Sequence, residues 1–106
     1  MDRATAQRMR ALRFTEAGPY PRLFIERLEL DSSVWYKAER LGIVSQNLGF
    51  CLCKRCPGIT LDWIYLGVED GLTPTRKKRL HRATGALEVL AKFTTEGDTS
   101  GSKKAE

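Results

Sequence analysis

Gly18-Pro19, Gly42, Pro57-Gly58 and Gly67 cut the first 71 residues into short segments, and none shows the apolar and polar alternation of a half-buried strand. Each segment instead carries apolar residues three and four apart, so the expected fold class is all-α. A first helix, about Ala4 to Ala17, places Met9 and Leu12 on one face and arginines on the others. Pro21, whose fixed φ suits a first helical turn, opens a second helix with Leu23, Phe24, Arg27 and Leu28, and Leu30 lies in the turn after it. Asp31 or Ser32 caps a third, Ser33 to about Leu41, which Gly42 stops. Leu48, Cys51 and Leu52 share a face of a fourth, about Ser45 to Arg55. A short fifth helix starts after its cap Thr60, is pinned by Trp63 and Ile64, and ends at Gly67.

A chain of 106 residues has room for one core and its appendages. The expected division is a helical domain over 4–72, a basic helix over 73–93 and a disordered tail over 94–106. Pro74-Thr75 opens the basic helix, in which Leu80, Ala83, Leu87 and Leu90 alternate at spacings of three and four, as a docking or dimer face would. Gly85 weakens that helix by about 1 kcal/mol relative to Ala. The tail is Thr, Gly, Ser and Lys without an apolar anchor.

Several function classes are disfavoured by residue content. Leu41 to Cys53, the longest nearly uncharged stretch, is too short to span a bilayer, and the arginine-rich start has no apolar run of the secretory kind, so a cytoplasmic location is expected. His81, the single histidine, lies in a basic segment, and no Ser/His/Asp, Cys/His or paired-carboxylate arrangement falls on a rigid element; the chain is not expected to be an enzyme. No phosphate-cradling glycine loop, cofactor or small-molecule substrate is evident. Cys51, Cys53 and Cys56 invite a metal reading, but on a helix Cys51 and Cys53 point about 160° apart and do not converge on one ion. Reduced thiols packed in or near the core are expected instead, with no metal.

The net charge of +5 is uneven: residues 1–71 are nearly balanced and the surplus lies in residues 72–106. The densest run is Arg76-Lys77-Lys78-Arg79 with Arg82, which either wraps a nucleic-acid backbone or keeps a helix solvated, the second being the expectation.

Two short helices joined by a tight turn, Arg22 to Leu28 and Ser33 to Arg40, with one helix before and two after, resemble the Cro and lambda-repressor-like helix-turn-helix domain. The spacing Gly18 to Phe24, then Leu28 and Leu30, then Trp35 and Glu39, looks like that family's core pattern across the turn, without gaps. Pro57-Gly58-Ile59-Thr60-Leu61-Asp62-Trp63-Ile64-Tyr65-Leu66-Gly67, followed by Asp70-Gly71-Leu72, is similar to a closing segment of small phage-like bacterial regulators. The resemblance covers about residues 8–72.

It implies a five-helix lambda-repressor-like DNA-binding domain with a C-terminal helical extension, a recognition helix at about 33–41 that enters the major groove, and double-stranded DNA bound by a homodimer. By resemblance Ser32, Ser33 and Lys37 read base edges with Tyr36 beside them, and Arg22 and Arg40 hold phosphates. The bland alternative for this group is a capped helix with a solvated face. Pro21 stands where many relatives have Gln, Ile25 where they have Ala, and Glu29 where a turn Gly is common, so the turn is expected to be looser or strained. Glu26, Glu29 and Asp31 add negative charge beside the expected groove face. These departures carry a second reading, a degenerate helix-turn-helix module serving as a protein-interaction or antitoxin-like partner.

Overall fold

A computed structural model describes the backbone over residues 2–105 and the side chains over 2–92, so of the tail expected at 94–106 only the backbone to Ala105 is described. Within the described residues the chain is all-helical: α1 (Arg3–Ala17), α2 (Pro21–Leu28), α3 (Ser32–Leu41), α4 (Gln46–Arg55), α5 (Leu61–Leu66) and α6 (Pro74–Ala105). No described helix is long and apolar enough to cross a membrane.

Local chemistry accounts for the boundaries. Asp2 caps α1 through the Thr5 amide, Asp31 caps α3 through the Ser33 and Val34 amides, Ser45 caps α4 through Leu48 and Thr60 caps α5 through Trp63. Each cap satisfies amide hydrogens that a first helical turn leaves without intrahelical partners. Asp31 rather than Ser32 is thus the cap of α3, which starts one residue earlier than its sequence suggests.

α1 lies at the centre, packed against α2, α3, α5 and α6. Met9 and Leu12 of α1 meet Phe24 and Leu28 of α2, Trp35 and Ala38 of α3, Leu52 and Cys56 at the end of α4, and Ile64 of α5 in one buried cluster. Fully burying each large apolar side chain contributes about 1.5–3 kcal/mol. Leu80 and Ala83 of α6 enter the same cluster, Leu87 packs at its margin, and Leu90 stays half exposed, so the apolar stripe of α6 is used largely against its own chain.

Two backbone positions set the ends of the helix pair. Gly42 ends α3 at φ 73°, and a β-carbon there would lie 2.0 Å from the Asp2 carbonyl oxygen. The Asp2 amide donates to the Leu41 carbonyl at 2.9 Å, so the start of α1 lies against the end of α3, and only glycine permits that approach. Glu29 closes α2 at φ 56°, ψ 47°, and the Leu30 amide reaches back to the Ile25 carbonyl at 2.9 Å. The turn is therefore the strained kind: it keeps left-handed geometry with a residue for which that region costs about 1–2 kcal/mol.

The basic run is largely the solvated face expected of it, with Arg76 the exception. Arg76 is buried, donating from Nε and Nη2 to the Pro57 carbonyl and from Nη1 to Glu16, while Arg79 donates to the Thr15 carbonyl. These two arginines tie α6 to the end of α1 and to the α4–α5 connection. Lys78 and Arg82 remain exposed.

Candidate nucleic-acid interface

α3 has a fixed back and a free front. On the back, Trp35 is fully buried with its ring centroid 4.6 Å from that of Phe24, which couples α3 to α2. Its indole Nε1 donates to Glu39 Oε1 at 2.9 Å. Arg13 of α1 grips the same carboxylate in a fork, Nε to Oε1 at 3.1 Å and Nη2 to Oε2 at 3.2 Å, and its Nη1 donates to the Gly18 carbonyl at 3.0 Å. Two charges are tolerated inside because each hydrogen-bonds the other and the remaining atoms find neutral partners. Glu39 belongs to the apolar spacing read from the sequence, but its partner Arg13 was assigned only to an outer face of α1. A glutamate in an otherwise apolar stripe, with an arginine two helices earlier to pair with it, was the signal.

On the front, successive residues are about 100° apart, so Ser33, Tyr36, Lys37 and Arg40 form one stripe with Ser32 at its flank. Ser32, Ser33, Lys37 and Arg40 are exposed and Tyr36 is half-buried. Arg22 is exposed as well, but on the first turn of α2, where Tyr20 supplies no side-chain cap. The fold thus groups five of the six sequence-derived site residues on one helix edge and puts the sixth on the neighbouring element.

Asp31 borders this edge. Its Oδ1 accepts from the Ser33 amide at 2.9 Å, the Ser33 hydroxyl at 2.6 Å and the Val34 amide at 3.2 Å. The Ser33 hydroxyl bond, then those from the Val34 and Ser33 amides, hold the carboxyl below its ordinary range. Ser33 therefore spends its proton within the turn and offers only acceptor lone pairs outward. Of the other acidic residues near the helix pair, Glu29 pairs with Arg55 at 3.6 Å, and Glu26 is exposed.

Several arginines outside this edge are committed to the fold, whereas exposed Arg3, Lys54, Lys78 and Arg82, like the cations of this edge, have no side-chain hydrogen bond or ion pair among the described residues. Arg8 donates to the Ile64 carbonyl, Arg27 to the Glu16 carbonyl and Arg55 to the Leu28 carbonyl, while Arg13, Arg76 and Arg79 are tied in as above. Among the described residues Arg22, Lys37 and Arg40 make no hydrogen bond or ion pair; Arg40 instead stands over the Tyr36 ring, 5.0 Å from its centroid.

The cysteines lie elsewhere. Cys51 and Cys53 are half-buried, and Cys56 is buried, its thiol pushed up to about 12 chiefly by burial. Such a thiol stays protonated near neutrality, whereas ligands and nucleophiles are thiolates. Among the described residues no three His, Cys, Asp or Glu side chains are grouped as a metal site would require.

No protein-family model matches the chain, and no curated protein or solved structure matches it.

Proposed function

We propose that this protein is a sequence-specific DNA-binding transcriptional regulator with a lambda-repressor-like helix-turn-helix domain, that α3 is its recognition helix, and that it is not an enzyme. The observation that carries the reading is the division of α3. Trp35, Ala38 and Glu39 anchor it, and the opposite edge presents the side chains of Ser32, Ser33, Lys37 and Arg40 without hydrogen-bond or ion-pair partners among the described residues beyond the Ser33 to Asp31 bond. A helix inserted in a major groove needs that rigidity behind and that chemistry in front. Lys37 donates to guanine acceptors, Ser32 serves either kind of base edge, and Arg22 at the uncapped start of α2 suits a phosphate. Two copies are expected on one site, with half-sites about 34 Å apart, because one short helix seldom supplies enough affinity.

Selection of bound fragments from random duplex DNA, followed by gel shift at low salt, tests this. Enrichment of one sequence, with at least tenfold weaker binding by Ser33→Ala/Lys37→Ala, is expected. Failure to retain any duplex at low salt sinks the reading, and unchanged binding by the double variant removes α3 as the recognition element.

A second reading, a helix-turn-helix module turned to protein binding, draws on exposed Ile43 and Leu66, the latter 72% accessible, and on exposed Glu26. It is favoured by a co-purifying protein in material free of nucleic-acid absorbance.

A further inference from the structure

Arg40 differs from the other cations of α3 and α2 in being both unpaired and held. Its guanidinium lies 5.0 Å from the centroid of the Tyr36 ring, four residues back along the helix, and Tyr36 is half-buried and packed against the margin of the core. The carboxylate next to it in sequence, Glu39, is turned inward to Arg13 and Trp35, so it does not compete for Arg40. An exposed arginine ordinarily loses much rotamer freedom when it is ordered on a ligand; one laid over a ring beforehand loses less.

The direction of the stacked group indicates its target. Arg40 follows Ser33 by seven residues, about 10.5 Å along the axis, so it belongs to the end of α3 away from the leading edge. A guanidinium drawn back over residue 36 runs along the flank of the helix instead of projecting outward from it. For a helix lying in a groove, the flank faces the wall, where the phosphates are, and the outermost side chains face the base edges. We propose that Tyr36 is a positioning residue that holds Arg40 ready to clamp a backbone phosphate of duplex DNA, and is not itself a reader of bases. This rests on the DNA-binding reading given above.

The test measures affinity and its salt dependence on the duplex selected from random DNA, for the parent chain, Arg40→Ala, Tyr36→Phe, Tyr36→Leu and Tyr36→Leu/Arg40→Ala. Arg40→Ala is expected to bind about tenfold more weakly, with a salt slope shallower by about 0.9 and unchanged sequence preference. Tyr36→Leu, which keeps apolar bulk and removes the ring face, is expected to lose about two- to fivefold. Tyr36→Phe should stay within about twofold of the parent, and the double variant should be no weaker than Arg40→Ala alone. Ring-current displacement of the Arg40 side-chain proton resonances in the free protein, kept in Tyr36→Phe, checks the stack without DNA or the leucine variant. Unchanged binding by Tyr36→Leu, additive losses in the double variant, or a Tyr36→Phe as weak as Tyr36→Leu overturns the positioning role while leaving DNA binding intact. A change of base preference in Arg40→Ala overturns the phosphate target. If the parent binds no duplex, the DNA reading fails and the phosphate clamp fails with it.

Discussion

The first turns of α6 and the outer edge of α3 are both basic in sequence, and the fold uses their arginines in opposite ways. Arg76 turns inward onto the Pro57 carbonyl and Glu16, exposed Arg79 bonds the Thr15 carbonyl at the surface, and together they fasten a helix. Among the described residues the Lys37 and Arg40 side chains make no hydrogen bond or ion pair, although the charge of Lys37 acts on the Asp31 carboxylate. The density of cations along a sequence therefore says little about where a polyanion would be met; what matters is whether a backbone carbonyl or carboxylate already lies within a guanidinium's reach. The buried Arg13–Glu39 pair extends the contrast, since it holds the back of α3 by the same chemistry that the front leaves unused.

Breaking the inward set should cost the most. Glu39→Ala strands the Arg13 guanidinium and the Trp35 indole N–H in a buried site, and urea unfolding should show a loss of about 3–5 kcal/mol. A loss below about 1 kcal/mol would mean that apolar packing alone seats α3. Arg76→Ala removes the bonds to Pro57 and Glu16 and is expected to cost about 2–3 kcal/mol while leaving the salt slope of DNA binding unchanged. Lys78→Ala and Arg82→Ala sharpen the comparison from the outward side: each should stay within about 0.5 kcal/mol of the parent in stability.

The strained turn yields a smaller effect of opposite sign. Glu29→Gly relieves the left-handed φ and should stabilise the fold by about 1 kcal/mol, reduced by any contribution from the exposed Arg55 pair, as read from the urea midpoint. The smallest expected effect is on pH dependence. Asp31 has a folded pKa depressed below its ordinary 3.8, first by the Ser33 hydroxyl. Its contribution is thus fully present above that ordinary value and is lost as pH falls through the lower folded one. Asp31→Asn should flatten stability against pH in that acid window and lower it by a constant amount across the neutral range, whereas an unaltered acid profile would show that the cap adds no pH-dependent stability.

Much of this was legible in the residues themselves. Gly18-Pro19, Gly42, Pro57-Gly58 and Gly67 end or separate helices where their chemistry requires, and Phe24, Trp35, Trp63 and Ile64 are buried as their spacing implies. The candidate edge was legible for a related reason: once α3 is a helix with Trp35 inside, the 100° step sends Ser33, Lys37 and Arg40 outward. Arg76 was misjudged because a guanidinium in a basic run looks like any other, and only the approach of the Pro57 carbonyl and Glu16 from elsewhere in the chain makes burial favourable.

What the sequence alone determined, then, is whatever depends on neighbours within about one helical turn: starts, stops, the all-helical class and which side of each helix is apolar. Which cations are spent on the fold and which are left unpaired among the described residues was decided only by the tertiary structure. Hydrogen bonds and ion pairs act over a few ångströms, and Arg13 meets Glu39, or Arg76 meets Pro57, only after distant segments have been brought together.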